Sequence, residues 1–272
     1  DSDSTLGLVY EDRFKRVTDQ LEAASQKAVE KELHDGRVSL GQGLDNTVLA
    51  SGGTVLNSGT ALSAKRALAA IEHEARSASP TGEQPVIHMT ADVASVLGTA
   101  LQFNKDKDII VTRLGSPVVI GAGYSGGSPT ASAATASVST NTLTINTSSA
   151  HYLTSGDSVY VNISGANVSA SGTYTATVID ADTFTVPLTN ADVTQEAVTG
   201  TVQGSSSLDA KWIYATGSLD VNLGEIEVVN DTLAQGYDVS GNQNDMRIKA
   251  FRSASVHFDA SIHLAVKVNL TA

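Results

Sequence analysis

Apolar positions along this chain follow two rhythms, and the change from one to the other divides it. Across residues 10–34, Phe14, Val17, Leu21, Ala24, Ala28 and Leu33 recur near the 3.6-residue period of a helix. Glu, Lys, Arg and Gln fill the opposite face, and Gly36 follows as a C-terminal stop. The spacing predicts one long helix. A second helix is expected over 61–77 on Leu62, Leu68, Ile71 and Ala75, closed by Pro80. Between the two, residues 37–60 keep no sustained period and carry four glycines from 41 to 53, which reads as a long, mobile loop.

A short strand at 85–89 then leads into a third helix, with Thr90 as N-cap and Asp92 in the first turn, running to about Gln102. Residues 109–112 and 117–121 read as buried strands joined by a turn at 114–116. Alternating strand and helix to this point indicates an α+β or α/β layer. From there the period drops to two. Strands are expected at 143–145, 158–163, 173–179 and 184–186, punctuated by Gly156-Asp157 and Gly172. Beyond them, strands resume at 211–216, 219–221 and 225–229. The chain closes on one alternating run over 253–270, carried by Val256, Phe258, Ile262, Leu264, Val266, Val268 and Leu270.

Composition sharpens the division. No Lys or Arg occurs from Leu114 to Ala210, and within that stretch residues 127–207 turn to Ser, Thr, Ala and Val. Residues 129–206 hold five acids (Asp157, Asp180, Asp182, Asp192 and Glu196) and no base. The chain therefore parses as one domain interrupted by a small, autonomously folding β barrel or sandwich. Its Gly/Ser-rich ends, near Gly127 and 204–207, should lie close together. Hydrophobic content of 41% is enough for a core, and the absence of Cys excludes disulfides and thiolate metal sites. A net charge of −12 argues against a basic face that wraps nucleic acid. No apolar run approaches the roughly 18 residues that cross a membrane. The chain opens on Asp1 without a charged-then-apolar leader, which reads as an N-terminus either cut by processing or trimmed.

Chemical motifs are few. Gly121-Ala-Gly123-Tyr-Ser-Gly126 matches the dinucleotide fingerprint, but Ser128-Pro129 follows where a helix is required, and no acid lies at 139–149. Gly123-Tyr-Ser125-Gly-Gly127 matches the nucleophile elbow, with His257 and His263 downstream. It lacks the same helix, and glycines gather where a strand ends and an insertion begins, so Ser125 is not expected to be a nucleophile. The six histidines (34, 73, 88, 151, 257 and 263) show no metal-ligand spacing. Asp180-Ala-Asp182 reads as a turn rather than a Ca²⁺ loop. Sequons at Asn146, Asn162, Asn167, Asn230 and Asn269 arise readily in a chain this rich in Ser and Thr. No catalytic, cofactor-binding or metal-binding residue is assigned, and no cofactor.

Four phrases outside the insert, in order over about 190 residues, carry a resemblance. They are Leu21-Glu-Ala-Ala-Ser-Gln-Lys-Ala-Val-Glu-Lys-Glu-Leu33, Val86-Ile-His-Met-Thr-Ala-Asp-Val-Ala94, Gly115-Ser-Pro-Val-Val-Ile-Gly-Ala-Gly-Tyr124 and Trp212-Ile-Tyr-Ala-Thr-Gly217. With the closing run 258–270, they resemble the major capsid proteins of tailed bacteriophages, of the Hong Kong 97 type found in phages of actinobacteria. Gly156-Asp-Ser-Val-Tyr-Val161 and the phrases 172–180 and 182–185 resemble a small β module that recurs in phage proteins.

The resemblance implies an α+β, Hong Kong 97-like capsid fold with an inserted all-β barrel or sandwich. Residues 1–36 and 251–272 would form the peripheral domain with its spine helix, whose stripe packs on the sheet containing 256–270. Residues 37–127 and 208–250 would form the axial domain, and 128–207 the insert. The family's N-terminal arm and extended hairpin have no counterpart in the nine residues ahead of the expected helix, so arm clasping and covalent cross-linking are not carried over. The implied function is that of a shell subunit, not an enzyme, assembling with itself into hexamers and pentamers around double-stranded DNA. Portal, scaffold and cement proteins would be further partners, and DNA would be met on the inner face without sequence-specific binding. The implied location is the virion, assembled in the bacterial cytoplasm, with no membrane. The acid-only insert is expected on the outside, away from packaged DNA. The alternatives are a tail-tube or decoration subunit, which would be mostly β, and a serine hydrolase or sugar-binding β protein, which would make the 10–34 helix incidental.

Overall fold

The computed structural model describes residues 3–36, 47–51, 53–80, 82–207, 209–230, 248–259 and 261–271. They form a mixed helix-and-strand protein of two compact units. One comprises the residues up to Val29 with Asp220–His257, and the other Glu30–Leu219 with the residues from Phe258 onward. Helix α1 (Asp3–Asp35) begins in the first unit and ends in the second. It starts at Asp3, well before the expected residue 10.

The second unit is built in chain order. After β1 (Thr54–Val55) and β2 (Leu62–Ser63) come α2 (Ala64–Ala78), β3 (Val86–Met89), α3 (Ala91–Leu97), β4 (Leu101–Asn104), β5 (Ile109–Thr112) and β6 (Pro117–Ile120). The insert follows as β7 (Ala131–Ser139), β8 (Thr142–Thr147), β9 (Ser158–Ser164), β10 (Ser169–Thr175), β11 (Thr177–Val178), β12 (Thr183–Pro187), β13 (Val193–Ala197) and β14 (Thr199–Gly204). The chain then returns through β15 (Ala210–Thr216), β16 (Leu219–Asn230), β17 (Ile248–Phe258) and β18 (His263–Asn269).

Among the described residues, the base of the second unit is an eight-stranded sheet ordered β1-β18-β15-β3-β6-β5-β4, with β2 also on β18. β15 lies between β18 and β3, and its residues from Lys211 to Thr216 are all buried. A strand covered on both faces takes such a continuous run. α2 lies across β15 and β18 because Ala64, Ala67, Leu68, Ile71 and Ala75 form one stripe at helical spacing. That stripe closes a core with Ile87, Met89, Ile213, Val266 and Val268. Each large side chain there contributes about 1.5–3 kcal/mol.

The insert has its own core, drawn wholly from residues 131–202. Leu143 and Ile145, then Val159, Val161 and Ile163, then Phe184 and Val186 point inward in alternation. β7 bends at an irregularity between Ala133 and Thr135 and is shared, pairing with β14 at its start and with β8 and β13 beyond. Its ends are pinned together. Ser128 N–H donates to Gly204 O (2.9 Å), and Gly204 N–H donates to Ser128 Oγ (2.9 Å). Gly127 must lack a side chain there, since a Cβ would lie 2.6 Å from Gly204 O.

Several expectations are corrected. The third helix stops at Leu97, because Gly98 takes φ +46; residues 98–100 tighten to a 3-10 turn, and 101–104 become the edge strand β4. Thr90 occupies the N-cap position, but its hydroxyl makes no capping bond. Within the stretch read as a mobile loop, Leu49 and Ala50 are buried, and Val48 and Ala50 donate to carbonyls of the last turn of α1. Residues 37–46 and 52 of that stretch lie outside the described residues. The closing alternating run is two strands in different sheets: β17 pairs with β16, and β18 lies inside the base sheet. Between them, the Asp259 carboxylate takes the Ser261 amide and hydroxyl, each at 2.8 Å. Strands β7, β13 and β14, rich in small and polar residues, were not expected individually.

The first unit is different in kind. The α1 stripe is shallow: Val17 and Leu21 are half-buried, Ala24 and Ala28 exposed, and Ser25 is the buried position. β16 and β17 form a two-stranded ribbon, braced by Arg252 Nε donating to Gly224 O at 2.8 Å. Val221, Leu223 and Phe251 on that ribbon are exposed. Among residues 15–29, 220–228 and 250–257, whose side chains are described, this unit buries no apolar side chain.

Candidate functional site

A dense group of polar side chains lies where α1 ends, inside the second unit. His34 and Asp35 are buried in the last turn of α1. The His34 ring sits between Tyr124 (centroids 5.5 Å apart) and Tyr214 (5.4 Å, edge-on). His88, fully buried on β3, bridges Tyr124 Oη (3.1 Å) and Thr216 Oγ1 (2.9 Å). The Thr216 hydroxyl donates to Gly217 O at 3.0 Å, so His88 Nε2–H donates to Thr216 and Nδ1 accepts from the Tyr124 hydroxyl. Tyr214 O–H donates to Gly127 O (2.7 Å), and Gly123 N–H donates to Glu30 Oε2 (2.9 Å).

The protonation states follow from burial. Desolvation, with the nearby His34 and His263, lowers the His88 pKa to about 3. Desolvation, with Glu30 near Tyr124 and Asp35 near Tyr214, raises both phenols well above their ordinary value. Around neutral pH the His88, Tyr124 and Tyr214 side chains are therefore uncharged donors and acceptors, each used. A general base must titrate near working pH, and His88 and the two phenols do not. This cluster can tie α1, the base sheet and the neck of the insert together.

Ser125 is brought to a histidine, though not to one of those downstream. Its Oγ lies 3.3 Å from His34 Nδ1 and accepts from Gly127 N–H at 3.3 Å. His257 is exposed on β17, and His263 Nε2 bonds Leu49 O at 3.0 Å. The glycines of both motifs serve local geometry. A Cβ on Gly121 would enter the Tyr124 ring, Gly126 takes φ +67, and no helix follows. His151 is buried edge-on to Phe184 (5.1 Å), its Nδ1 accepting from Leu153 N–H, and burial lowers its pKa. Asp180 and Asp182 share an exposed turn; the Asp182 amide and Thr183 hydroxyl hold the Asp180 carboxyl below the usual range. Of the sequon residues, Asn167 is bound by Glu196, and Asn146 and Asn162 lie on strands. Among the described residues, no group of three His, Cys, Asp or Glu is placed to hold a metal ion, and no helix is long and apolar enough to cross a membrane.

A second feature was not singled out in the sequence. A groove of about 460 Å³ runs between α2 and the β5–β6 turn, lined by Lys65, Arg76, Arg113 and the exposed Leu114, with His73 and Glu72. The signal was present in part: Lys65, Glu72 and Arg76 are spaced seven and four apart, on one side of a helix. Arg113 reaches the groove only through folding.

Compared with known proteins, the chain matches no family model and no curated protein.

Proposed function

We propose that this chain is a structural subunit of an assembled particle, and specifically a major capsid protein of the tailed-phage, Hong Kong 97 type. The observation that carries the reading is the first unit. In this helix and two-stranded ribbon, residues 15–29, 220–228 and 250–257, whose side chains are described, contribute no buried apolar side chain. An isolated two-stranded ribbon is marginal in water. Val221 (42% exposed), Leu223 (37%) and Phe251 (54%) are apolar surface awaiting cover. Copies of the same chain, repeated around rings, supply such cover without any other partner.

The finer parts of the reading rest on the sequence resemblance. They are the shell of hexamers and pentamers around double-stranded DNA, the virion location, and the portal, scaffold and cement partners. In this reading Ser125 and His34 brace the neck of the insert and catalyse nothing. The acid-only insert faces outward, since packaged DNA would repel it.

Sedimentation velocity tests the carrying observation. The wild-type chain is expected to form large particles. Val221→Asp with Phe251→Asp, which place charges at exposed apolar positions of the ribbon, should hold it as a small species with an unchanged second unit. Particles of wild-type size from that double variant would contradict the reading.

A further inference from the structure

The groove beside α2 is lined by three cations and, among the described residues, one carboxylate. Lys65, Arg76 and Arg113 form no ion pair among the described residues, in a chain whose net charge is −12. Arg76 spends its Nη2 on Leu114 O (2.9 Å) and Ser116 Oγ (3.0 Å), while its Nε is buried without a hydrogen-bond partner among the described residues. Arg113 Nε reaches only Thr99 O, at 3.3 Å. Glu72, the one carboxylate in the lining, is taken by the Thr112 hydroxyl at 2.6 Å. Leu114, 61% exposed, adds an apolar wall. The site is therefore shaped for an anionic group carried beside an apolar one.

The chain itself carries such a group. Asp180 and Asp182 are exposed on one turn of the insert, next to Ile179, which is 61% exposed. The turn is already ordered: Ile179 and Asp180 N–H both donate to Thr183 O, and Asp182 N–H donates to Asp180 Oδ1 at 2.9 Å. Little conformational freedom is lost when it docks. Within one chain these acids make no ion pair with the groove. A nucleic-acid phosphate is the weaker match, because the chain's acid excess opposes a polyanion.

We propose that the groove lined by Lys65, Arg76, Arg113 and Leu114 receives the turn at residues 179–182 of a second copy of this chain. The contact is head-to-tail, so it builds rings or open chains instead of pairing two copies symmetrically. It rests on the many-copy reading above and names one of the surfaces through which copies meet. Each contact is small and charge-rich, so it weakens with salt and gains strength by repetition.

The test is self-association of the full chain by sedimentation at low ionic strength. The proteins compared are wild type, Arg113→Glu, the pair Asp180→Lys and Asp182→Lys, and all three substitutions together. Arg113→Glu and the aspartate pair should each weaken association about tenfold or more, and the combination should recover most of it. Association unchanged by either reversal, or weakened without recovery in the combination, overturns the proposal. So does binding of a short DNA duplex that Arg113→Glu abolishes while self-association persists. Charge-sensitive association into rings or open chains without shells keeps the groove and contradicts the shell. Shells indifferent to the reversals do the opposite, and a wild-type chain that never self-associates contradicts both.

Discussion

His88 is fully buried, and its chemistry makes a sharp expectation. Its folded pKa of about 3 lies below the ordinary 6.5, so between those values the folded chain binds fewer protons than the unfolded one. Its contribution is complete above 6.5 and is lost as pH falls through that window. At about 1.4 kcal/mol per pH unit, the second unit should be less stable at pH 5 than at pH 7.5 by roughly 2 kcal/mol. His151, also lowered, acts in the same direction. Trp212, the single tryptophan, is buried in β15 and reports this by fluorescence in urea titrations. His88→Gln should flatten the pH dependence; an unchanged slope would show that His88 is not its source. At Ser125 the expectation is silence: a fluorophosphonate probe should leave it unlabelled, because its Oγ is held by Gly127 N–H in a turn with no helix behind it. Labelling that Ser125→Ala abolishes would revive a hydrolase. None of this clustering was legible in the sequence. His34, His88, Tyr124, Tyr214 and Thr216 meet only because four segments converge, and no spacing rule reports convergence.

At the scale of elements, regular burial was readable and irregular burial was not. The stripes of α2 and of β8, β9 and β12 repeat at 3.6 and 2 residues because one face of each meets a core, and those elements were expected near their observed places. β7 and β14 carry mostly Ala, Ser, Thr and Gly, whose small side chains leave no strong hydrophobic alternation to read. The α1 stripe predicted a deeply packed helix, yet its middle is only half-covered. The break between β17 and β18 depends on the Asp259 turn, a local polar bond inside an apolar rhythm. The neck of the insert was anticipated from its Gly and Ser, and Ser128 and Gly204 meet there. Replacing residues 129–206 with a short Gly-Ser linker should therefore leave the base sheet folded. The cost should be modest and traceable: loss of the edge-on Tyr152–Trp212 contact, at 5.7 Å, and of the Thr130 bonds to Ala50. The expected readout is a soluble protein with cooperative unfolding and red-shifted Trp212 emission. A wholly insoluble product would mean that the base needs the insert to fold.

The whole molecule is uneven in a way that bears on its role. One unit contains two well-filled cores, while the other offers a helix and a ribbon with apolar side chains open to solvent. Marginal stability leaves little room for uncovered apolar surface on a chain that stays alone. The charge distribution points the same way, with an acid-only insert and a cation-lined groove on one chain. The central claim is that copies of this chain complete one another in a closed shell. Electron cryomicroscopy of the assembled full chain tests it most directly. The account predicts closed icosahedral particles of five- and six-membered rings, with the helix–ribbon unit covered by neighbouring copies and the insert on the outer surface. Tubes, featureless monomers, or an insert projecting toward the packaged genome would contradict it.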